Sequence, residues 1–483
     1  MVKLIPGGKP SVRVDLPLDL LHRHSTLRHG MKNPFSHEEK YLEQLKSIEQ
    51  KISQTQLREA AQQLNLLVKT DAHDPRLFLL GSRLAEAAGN PDGTLQAARK
   101  AHQLAPGWPV ATIHLAGVLA NRGETEEAMS VAEQATRQAV SGAADRVELL
   151  VKAAAVARGL NHYPQALQWL REANSISPDD LSIRHQIARI LIEAGDAAQA
   201  MGILTDLLQQ MPNSPTLLRD RLRACLSTAQ TGQALQDGEA LLALDPDNEV
   251  YRFYLDIARG ETPKTQPSLL VSELFDDVAA RYDRYWTGQL RYQLPHDVAQ
   301  MIKQWHPDRK GDVLDLGCGT GLLGVSLGPM EGVLVGVDLS ARMLEQAGRH
   351  RLYDGFHQVN LLDALLATPE NLYHVIAALD VFTYVGCLDV VIPNAYHILL
   401  PGARLVFSCE TGAEGAADYT LPSSYRYTHQ RSYVQRLLRA AGFQDIVLED
   451  RVLRQEADQP VPGFLVVARK PAPKIGKRES RRK

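Results

Sequence analysis

Cysteine is scarce in this chain of 483 residues: Cys225, Cys318, Cys387 and Cys409 stand singly, with no C-x-x-C pair. That spacing speaks against a zinc cluster and a disulfide framework, and it fits a reducing compartment. Aromatic residues are only 6% of the chain, too few for rows of base-stacking platforms. The formal net charge of −3 gives no overall attraction for a polyanion, so nucleic acid is not an expected partner. No apolar run approaches the roughly 18 residues that a membrane span needs. The opening Met-Val-Lys-Leu-Ile-Pro-Gly-Gly lacks the apolar core of a signal peptide. A cytoplasmic protein without a membrane partner is therefore expected.

Size and patterning fill in what these absences leave. At roughly 150 residues per domain the length predicts two to four units. Residues 1–37 carry Pro6, Gly7, Gly8, Pro10 and Pro17 among scattered Arg and His, which reads as a flexible tail. From 38 to 260 the chain turns to short amphipathic helices with an internal period. Small residues recur at Ala60, Thr94, Ala128, Ala166, Ala200 and Ala234, at spacings of 34, 34, 38, 34 and 34. Turn glycines lie five residues before three of them, at Gly89, Gly123 and Gly195. Prolines follow twelve residues after four, at Pro106, Pro178, Pro212 and Pro246, and the four extra residues fall at 141–144, in a loop.

A period of 34 with helix, turn, small residue, helix and proline resembles the tetratricopeptide repeat, over about six units. Small residues let paired helices approach closely. Rows such as Ile183, Ile187 and Ile190, then Ile203, Leu204 and Leu207, give each unit an apolar face that only a neighbour can bury. An all-α solenoid follows, with residues 249–259 as a capping helix. The resemblance implies a concave face that holds a protein or peptide, and Arg184, His185, Arg189, Arg219 and Arg223 would favour an acidic segment there. At 261–268 polar and turn-forming residues interrupt the period and mark a linker.

The stretch 313–324, Val-Leu-Asp-Leu-Gly-Cys-Gly-Thr-Gly-Leu-Leu-Gly, reads as strand, tight turn and helix start. Glycines so spaced bring bare amides close to a small ligand. Strand-like runs follow at 333–337, 356–359, 374–379, 404–408, 445–448 and 464–468, most of them separated by helical patterns. This alternation predicts a parallel α/β sheet with its ligand at the carboxyl ends of the strands. Two cofactors fit the spacing. Gly319 to Gly324 satisfies G-x-G-x-x-G with Asp338 nineteen residues on, as in a dinucleotide fold, while Asp315 extends the glycines to D-x-G-x-G-x-G.

Over 269–470 the chain resembles class I S-adenosylmethionine-dependent methyltransferases. The matching features are 313–321, Gly-Val-Asp-Leu-Ser at 336–340 with Met343 after it, Ala-Ala-Leu-Asp-Val-Phe at 377–382, Leu-Leu-Pro-Gly-Ala-Arg-Leu-Val-Phe at 399–407 and a late hairpin ending at Ala468. Pairing with helical repeats, and Phe-Asp-Asp-x-Ala-x-x-Tyr-Asp at 275–283, resembles bacterial tetratricopeptide-containing methyltransferases. The fold implied is Rossmann-like α/β, the cofactor S-adenosylmethionine. Gly317, Gly319 and Gly321 would carry its methionine and ribose portions, with Asp315 near the ammonium group. Asp338 would take both ribose hydroxyls on one carboxylate, and Leu339 and Met343 would flank the adenine. Asn360 stands where the family carries Asp for the adenine amine, with Asp363 as the alternative contact.

Methyl transfer from a sulfonium is an in-line displacement that requires no metal, and a base only where the acceptor is protonated. Asp380, Tyr384 and His429 are the catalytic candidates, His429 as a base or as a holder of the substrate lid. The tail 471–483 is basic and reads as solubilising. The whole chain reads as a methyltransferase whose repeats recruit a protein or peptide substrate. The alternatives are a small-molecule methyltransferase using its repeats for assembly, and a non-catalytic scaffold that senses the cofactor.

Overall fold

The computed structural model describes residues 41–140, 142–279, 282, 292–456 and 459–472. The expected N-terminal tail, most of the basic C-terminal tail and part of the 275–283 segment lie outside the described residues. Contacts divide the chain into two compact units between Pro246 and Asp247.

Among the described residues of the N-terminal unit, twelve helices, from Leu42–Ser53 to Thr231–Leu244, follow one another in pairs. The pair Leu181–Glu193 and Ala197–Gln210 shows how the sequence builds each repeat. Asp180 and Asp196 cap the two helices by accepting from the amides of Ser182 and Gln199. Gly195, at φ 86°, makes the turn between them in the left-handed region that a Cβ disfavours. The periodic small residues Ala60, Ala128, Ala166, Ala200 and Ala234 are all fully buried, and Thr94 nearly so. They sit where paired helices approach, which is why the period was visible at all. No described helix is long and apolar enough to cross a membrane.

The described residues of the C-terminal unit form a nine-stranded sheet with helices packed on it. Its strands are β1 (Val313–Leu316), β2 (Leu334–Asp338), β3 (Gly355–Gln358), β4 (Tyr373–Ala378), β5 (Leu399–Thr411), β6 (Tyr419–Thr420), β7 (Thr428–His429), β8 (Gln444–Glu456) and β9 (Gln459–Arg469). The order β3-β2-β1-β4-β5 is parallel throughout. The late hairpin of β8 and β9 joins antiparallel to β5 through β9. All six strands expected after the glycine stretch form, with ends shifted by a few residues. The short β6 and β7 were not expected, because two-residue strands leave no period to read.

Alternation along the central strands feeds two cores. Val313, Val375 and Val406 face the helix Leu294–Trp305, while Leu314, Ile376 and Leu405 face the helices Val391–Ile398 and Arg431–Ala441. The chain leaves β1 toward β2 and β3, then returns to β4 on the other side. In open sheets of this kind the ligand crevice lies where that direction reverses, here beyond the carboxyl ends of β1 and β4.

Residues 261–268 differ from a free tether. The Lys264 carbonyl accepts from the amides of Gly386 and Cys387 at 2.9 Å each, and Thr265 forms a bridge with Val385. The Tyr427 hydroxyl donates to the Pro263 carbonyl at 2.8 Å. Polar residues with unpaired backbone groups lie against another backbone as readily as in water, so composition alone could not distinguish the two. The helix Glu249–Ala258, expected as the cap of the repeats, groups with this C-terminal unit, where Tyr254 meets Tyr425 edge to face.

Candidate active site

Three glycines turn the chain from β1 into the helix Leu322–Leu327, with φ of 68° at Gly317, 53° at Gly319 and 85° at Gly321. Gly317 and Gly319 need glycine for different reasons. A Cβ on Gly317 would lie 2.5 Å from Cγ2 of Val381, whereas one on Gly319 would meet nothing within 4 Å. Gly317 lets the loops after β1 and β4 meet; Gly319 turns an open face toward the crevice.

Asp338 ends β2 beside this turn. Its Oδ2 accepts from the Gly319 amide at 2.9 Å and its Oδ1 from the Ser340 amide at 2.8 Å. Both oxygens are thereby oriented while each keeps a further lone pair. Burial raises the Asp338 carboxyl to about 6, against the pull of the Ser340, Gly319 and Leu339 amides. Ser340 caps the helix Ala341–Arg349 by accepting from the Met343 amide at 3.0 Å, and its hydroxyl donates to Asp276 at 2.5 Å. Asp276 thus ties the helix Ser268–Val278 to the turn after β2.

Asp315, inside β1, is only 3% exposed and takes a 2.6 Å hydrogen bond from the Tyr353 hydroxyl. Burial lifts its carboxyl to about 7, opposed by the Tyr353 bond and helped by Asp338. The Tyr353 oxygen in turn accepts from the Gly324 amide at 3.2 Å, and a Cβ on Gly324 would stand 2.4 Å from the Tyr353 ring. The last glycine of the G-x-G-x-x-G match therefore seats a tyrosine. Tyr353 belongs to none of the sequence motifs above, and nothing local to it signals this partnership.

The remaining predicted contacts distribute unevenly. Asn360, just past β3, caps the helix Leu361–Ala367 with its Oδ1 on the Leu362 amide at 2.8 Å, while its Nδ2 donates to Ser268 at 3.0 Å. Asp363 is exposed in the first turn of that helix. Leu339 is half-buried beside Asp338, and Met343 is fully buried.

Asp380, after β4, has φ 56° and sits with its side chain 5% exposed against Arg454. Tyr384 is buried and meets Phe275 edge to face, with ring centroids 5.3 Å apart. His429 lies deeper than a lid residue should. It is fully buried, its Nε2 lies 3.0 Å from the carbonyls of both Val385 and Gly386, and its ring stacks on Tyr433. Two carbonyls at Nε2 place the proton there, and burial lowers its pKa to about 4 despite those bonds. These surroundings fit a support for the loop after β4, which is neither the base nor the lid holder considered for His429.

In the repeat unit His185 and Arg223 both face the buried Asp220, at 2.8 and 3.9 Å, and Arg184 faces Asp206 at 3.4 Å. Arg189 is exposed and Arg219 half-buried, without an ion pair among the described residues.

Comparisons with known proteins agree with this division. A methyltransferase-domain model matches residues 314–405, and a tetratricopeptide-repeat model matches residues 157–224. Among curated relatives, a ubiquinone biosynthesis O-methyltransferase of Pseudomonas savastanoi is 28% identical over 133 residues, covering 26% of this chain and 57% of that protein. One of the same description from Burkholderia pseudomallei is 24% identical over 195 residues, 36% of this chain and 83% of that protein. The chain thus spans little more than half the length of the first of these relatives. Solved structures with likeness include a magnesium protoporphyrin IX methyltransferase of Synechocystis with bound cofactor, 17% identical at a TM-score of 0.32 over 42% of this chain and 96% of that one. A tetratricopeptide protein with an unusual peptide-binding site is 17% identical at a TM-score of 0.33, over 41% of this chain and 97% of that one. The chain joins an N-terminal tetratricopeptide-repeat region to a C-terminal domain of the class I methyltransferase fold.

Proposed function

We propose that this protein is an S-adenosylmethionine-dependent methyltransferase, with a repeat domain at 38–260 and a catalytic domain at 269–470. The observation that carries this reading is the Asp338 carboxylate, aimed by the Gly319 and Ser340 amides at the mouth of the crevice, next to a glycine whose Cβ direction is empty. The site fits the cofactor: an open backbone face for the methionine and ribose portions, an oriented carboxylate for two ribose hydroxyls, and a second acid, Asp315, below. Leu339 and Met343 would flank the adenine, with Asn360, or else Asp363, at its amine. When bound, the cofactor supplies a methyl carbon made electrophilic by a sulfonium. The protein's own contribution is to orient that group, keep water out and, for a protonated acceptor, take its proton at Asp380. Tyr384 packs the same wall and His429 supports it from behind.

The repeats favour a protein or peptide acceptor. Arg189 and Arg219 carry charge without an ion pair among the described residues, and both were expected on the concave face. An acidic segment there would bring its acceptor group to the catalytic domain by tethering rather than by affinity at the crevice. The second reading is O-methylation of a small molecule, which the printed description of the curated relatives favours. Incubating the full-length protein with methyl-labelled cofactor and an extract of its own cells distinguishes them. Label in protein supports recruitment by the repeats, label confined to small molecules supports the second reading, and no transfer to either fraction overturns both.

Cofactor affinity should depend on pH. Burial holds Asp315 at about 7 and Asp338 at about 6, so both are partly protonated below neutrality. The cofactor's sulfonium and ammonium charges stabilise the ionised forms, so binding releases protons. By linkage, affinity rises as pH increases from about 5 to about 7.5 and levels off above the higher value, with no more than about two protons released. Calorimetry in buffers of different ionisation enthalpy reads both quantities, and a flat profile would contradict the assignment of these acids.

A further inference from the structure

Arg454 belongs to none of the motifs discussed so far, yet it is one of the most deeply buried large side chains in the molecule, at 1% exposure. Strand alternation would bury only one of Leu453 and Arg454. Both are inside because the pairing of β8 with β9 shifts register between Val452 and Arg454. Such an irregularity re-aims a side chain at the expense of regular pairing, and it recurs beside functional sites. Gly463 makes room for it, since a Cβ there would lie 2.4 Å from Leu453.

The re-aimed guanidinium reaches across the end of the sheet. Its Nη1 donates to Asp380 Oδ1 at 2.7 Å, its Nη2 to Glu410 at 2.5 Å and its Nε to Glu456 at 2.7 Å. One planar fork with three donor nitrogens holds three acids from three separate segments, which a lysine ammonium cannot do in this geometry. Arg426 pairs with Glu456 from the opposite side. Besides their burial, Asp380 in turn pushes up the hydroxyl pKa of Tyr384, Tyr282 and Tyr292, the tyrosines that face it among the described residues. With Oδ1 held, Asp380 Oδ2 has no hydrogen-bond partner among the described residues.

We propose that Arg454 is the positioning residue of the acceptor side: it fixes Asp380 at the end of β4 so that the free carboxylate oxygen meets the acceptor's proton. This rests on the methyltransferase reading above. In the step it serves, a bond forms from the acceptor atom to the methyl carbon and the sulfur–methyl bond breaks with its electron pair left on sulfur. The acceptor's proton passes to Asp380 Oδ2. A cation on the other oxygen keeps Asp380 ionised and ready to receive that proton. Burial, with the nearby Glu410 and Glu456, pushes its carboxyl up; Arg454 is the largest influence holding it down, followed by Arg426, and the balance leaves it at about 6.

The test has one arm that needs no cofactor. Full-length protein labelled with carbon-13 at aspartate carboxyls gives an Asp380 resonance identified by its loss in Asp380→Asn. Its titration midpoint should rise by more than one pH unit in Arg454→Met and by less in Arg454→Lys, which keeps the charge and guards against a misfolded first variant. An unmoved midpoint in both overturns the proposal. In the second arm, Arg454→Met should bind S-adenosylmethionine within about threefold of the wild type by calorimetry. Its label transfer should fall at least thirtyfold and recover partly in Arg454→Lys, with the acid limb of the pH profile moved upward. Transfer unchanged, or lost only in step with cofactor affinity, also overturns it. A wild type that binds no cofactor would instead remove the methyltransferase reading, and the titration arm then shows whether the Arg454–Asp380 coupling stands without it.

Discussion

Asp338→Ala should abolish measurable binding of S-adenosylmethionine to the full-length protein. The carboxylate is proposed to accept from both ribose hydroxyls, and a hydrogen bond to a charged acceptor contributes about 1.5–3 kcal/mol. Two such bonds amount to about 3–6 kcal/mol, or an affinity loss of at least about a hundredfold. The substitution also frees the amides of Gly319 and Ser340, which now lack their acceptor, so the turn itself loosens. Asp338→Asn separates the two effects. Its carbonyl can still accept from one amide, so the fold should be kept while affinity falls by about tenfold or more. Calorimetry on the wild type and both variants checks this, and near-wild-type affinity in Asp338→Ala would refute the ribose assignment. NAD titrated in parallel resolves the ambiguity of the glycine pattern: the Gly324 position, filled by the Tyr353 ring, is unlike the close helix packing that a dinucleotide fold reserves for that glycine.

The second large effect is on stability. Gly317→Ala forces a Cβ-bearing residue to φ 68° and drives its methyl to within 2.5 Å of Val381. The left-handed conformation costs about 1–2 kcal/mol and overpacking a further 1–3 kcal/mol. At about 2–4 °C per kcal/mol for a unit of this size, the melting transition of the C-terminal unit should fall by roughly 5–15 °C. Gly319→Ala carries the conformational cost but not the clash, so its transition should fall less, while its methyl intrudes on the open face where the cofactor is proposed to lie. The double variant Gly317→Ala with Val381→Ala should recover part of the loss. Scanning calorimetry that found equal shifts for Gly317→Ala and Gly319→Ala would contradict this account of the two glycines.

These predictions turn on residues of differing legibility. Asp338 and the glycines could be read in the sequence because what they do is local. A strand end, a turn and a helix start lie within a dozen residues, and each imposes its own pattern of apolar, small and acidic residues. His429 was equally conspicuous in the sequence but deceptive. A histidine in a polar stretch reads as exposed, and only the carbonyls of Val385 and Gly386 and the ring of Tyr433, brought in from elsewhere, make it an interior support. Residues 261–268, read as a linker, likewise spend part of their polarity on the backbone after β4, which their composition does not record.

What the sequence by itself determined is the set of features that repeat or adjoin: the period of 34 in the helical half, the glycine turn, the acid that ends the next strand, and the two-unit organisation. Helix pairs and strand–turn–helix units are stabilised largely within themselves or by an identical neighbour, so their rules are written in short-range spacing. Tertiary structure alone decided the pairings that cross the sheet. Tyr353 reaches Asp315 across 38 residues, Arg454 reaches Asp380 across 74, and Tyr427 reaches Pro263 across 164. Such contacts arise where loops from different strands converge at one edge of the sheet. A buried charge or hydroxyl accepts any partner of the right chemistry that the fold delivers there, and no spacing along the chain records which one that is.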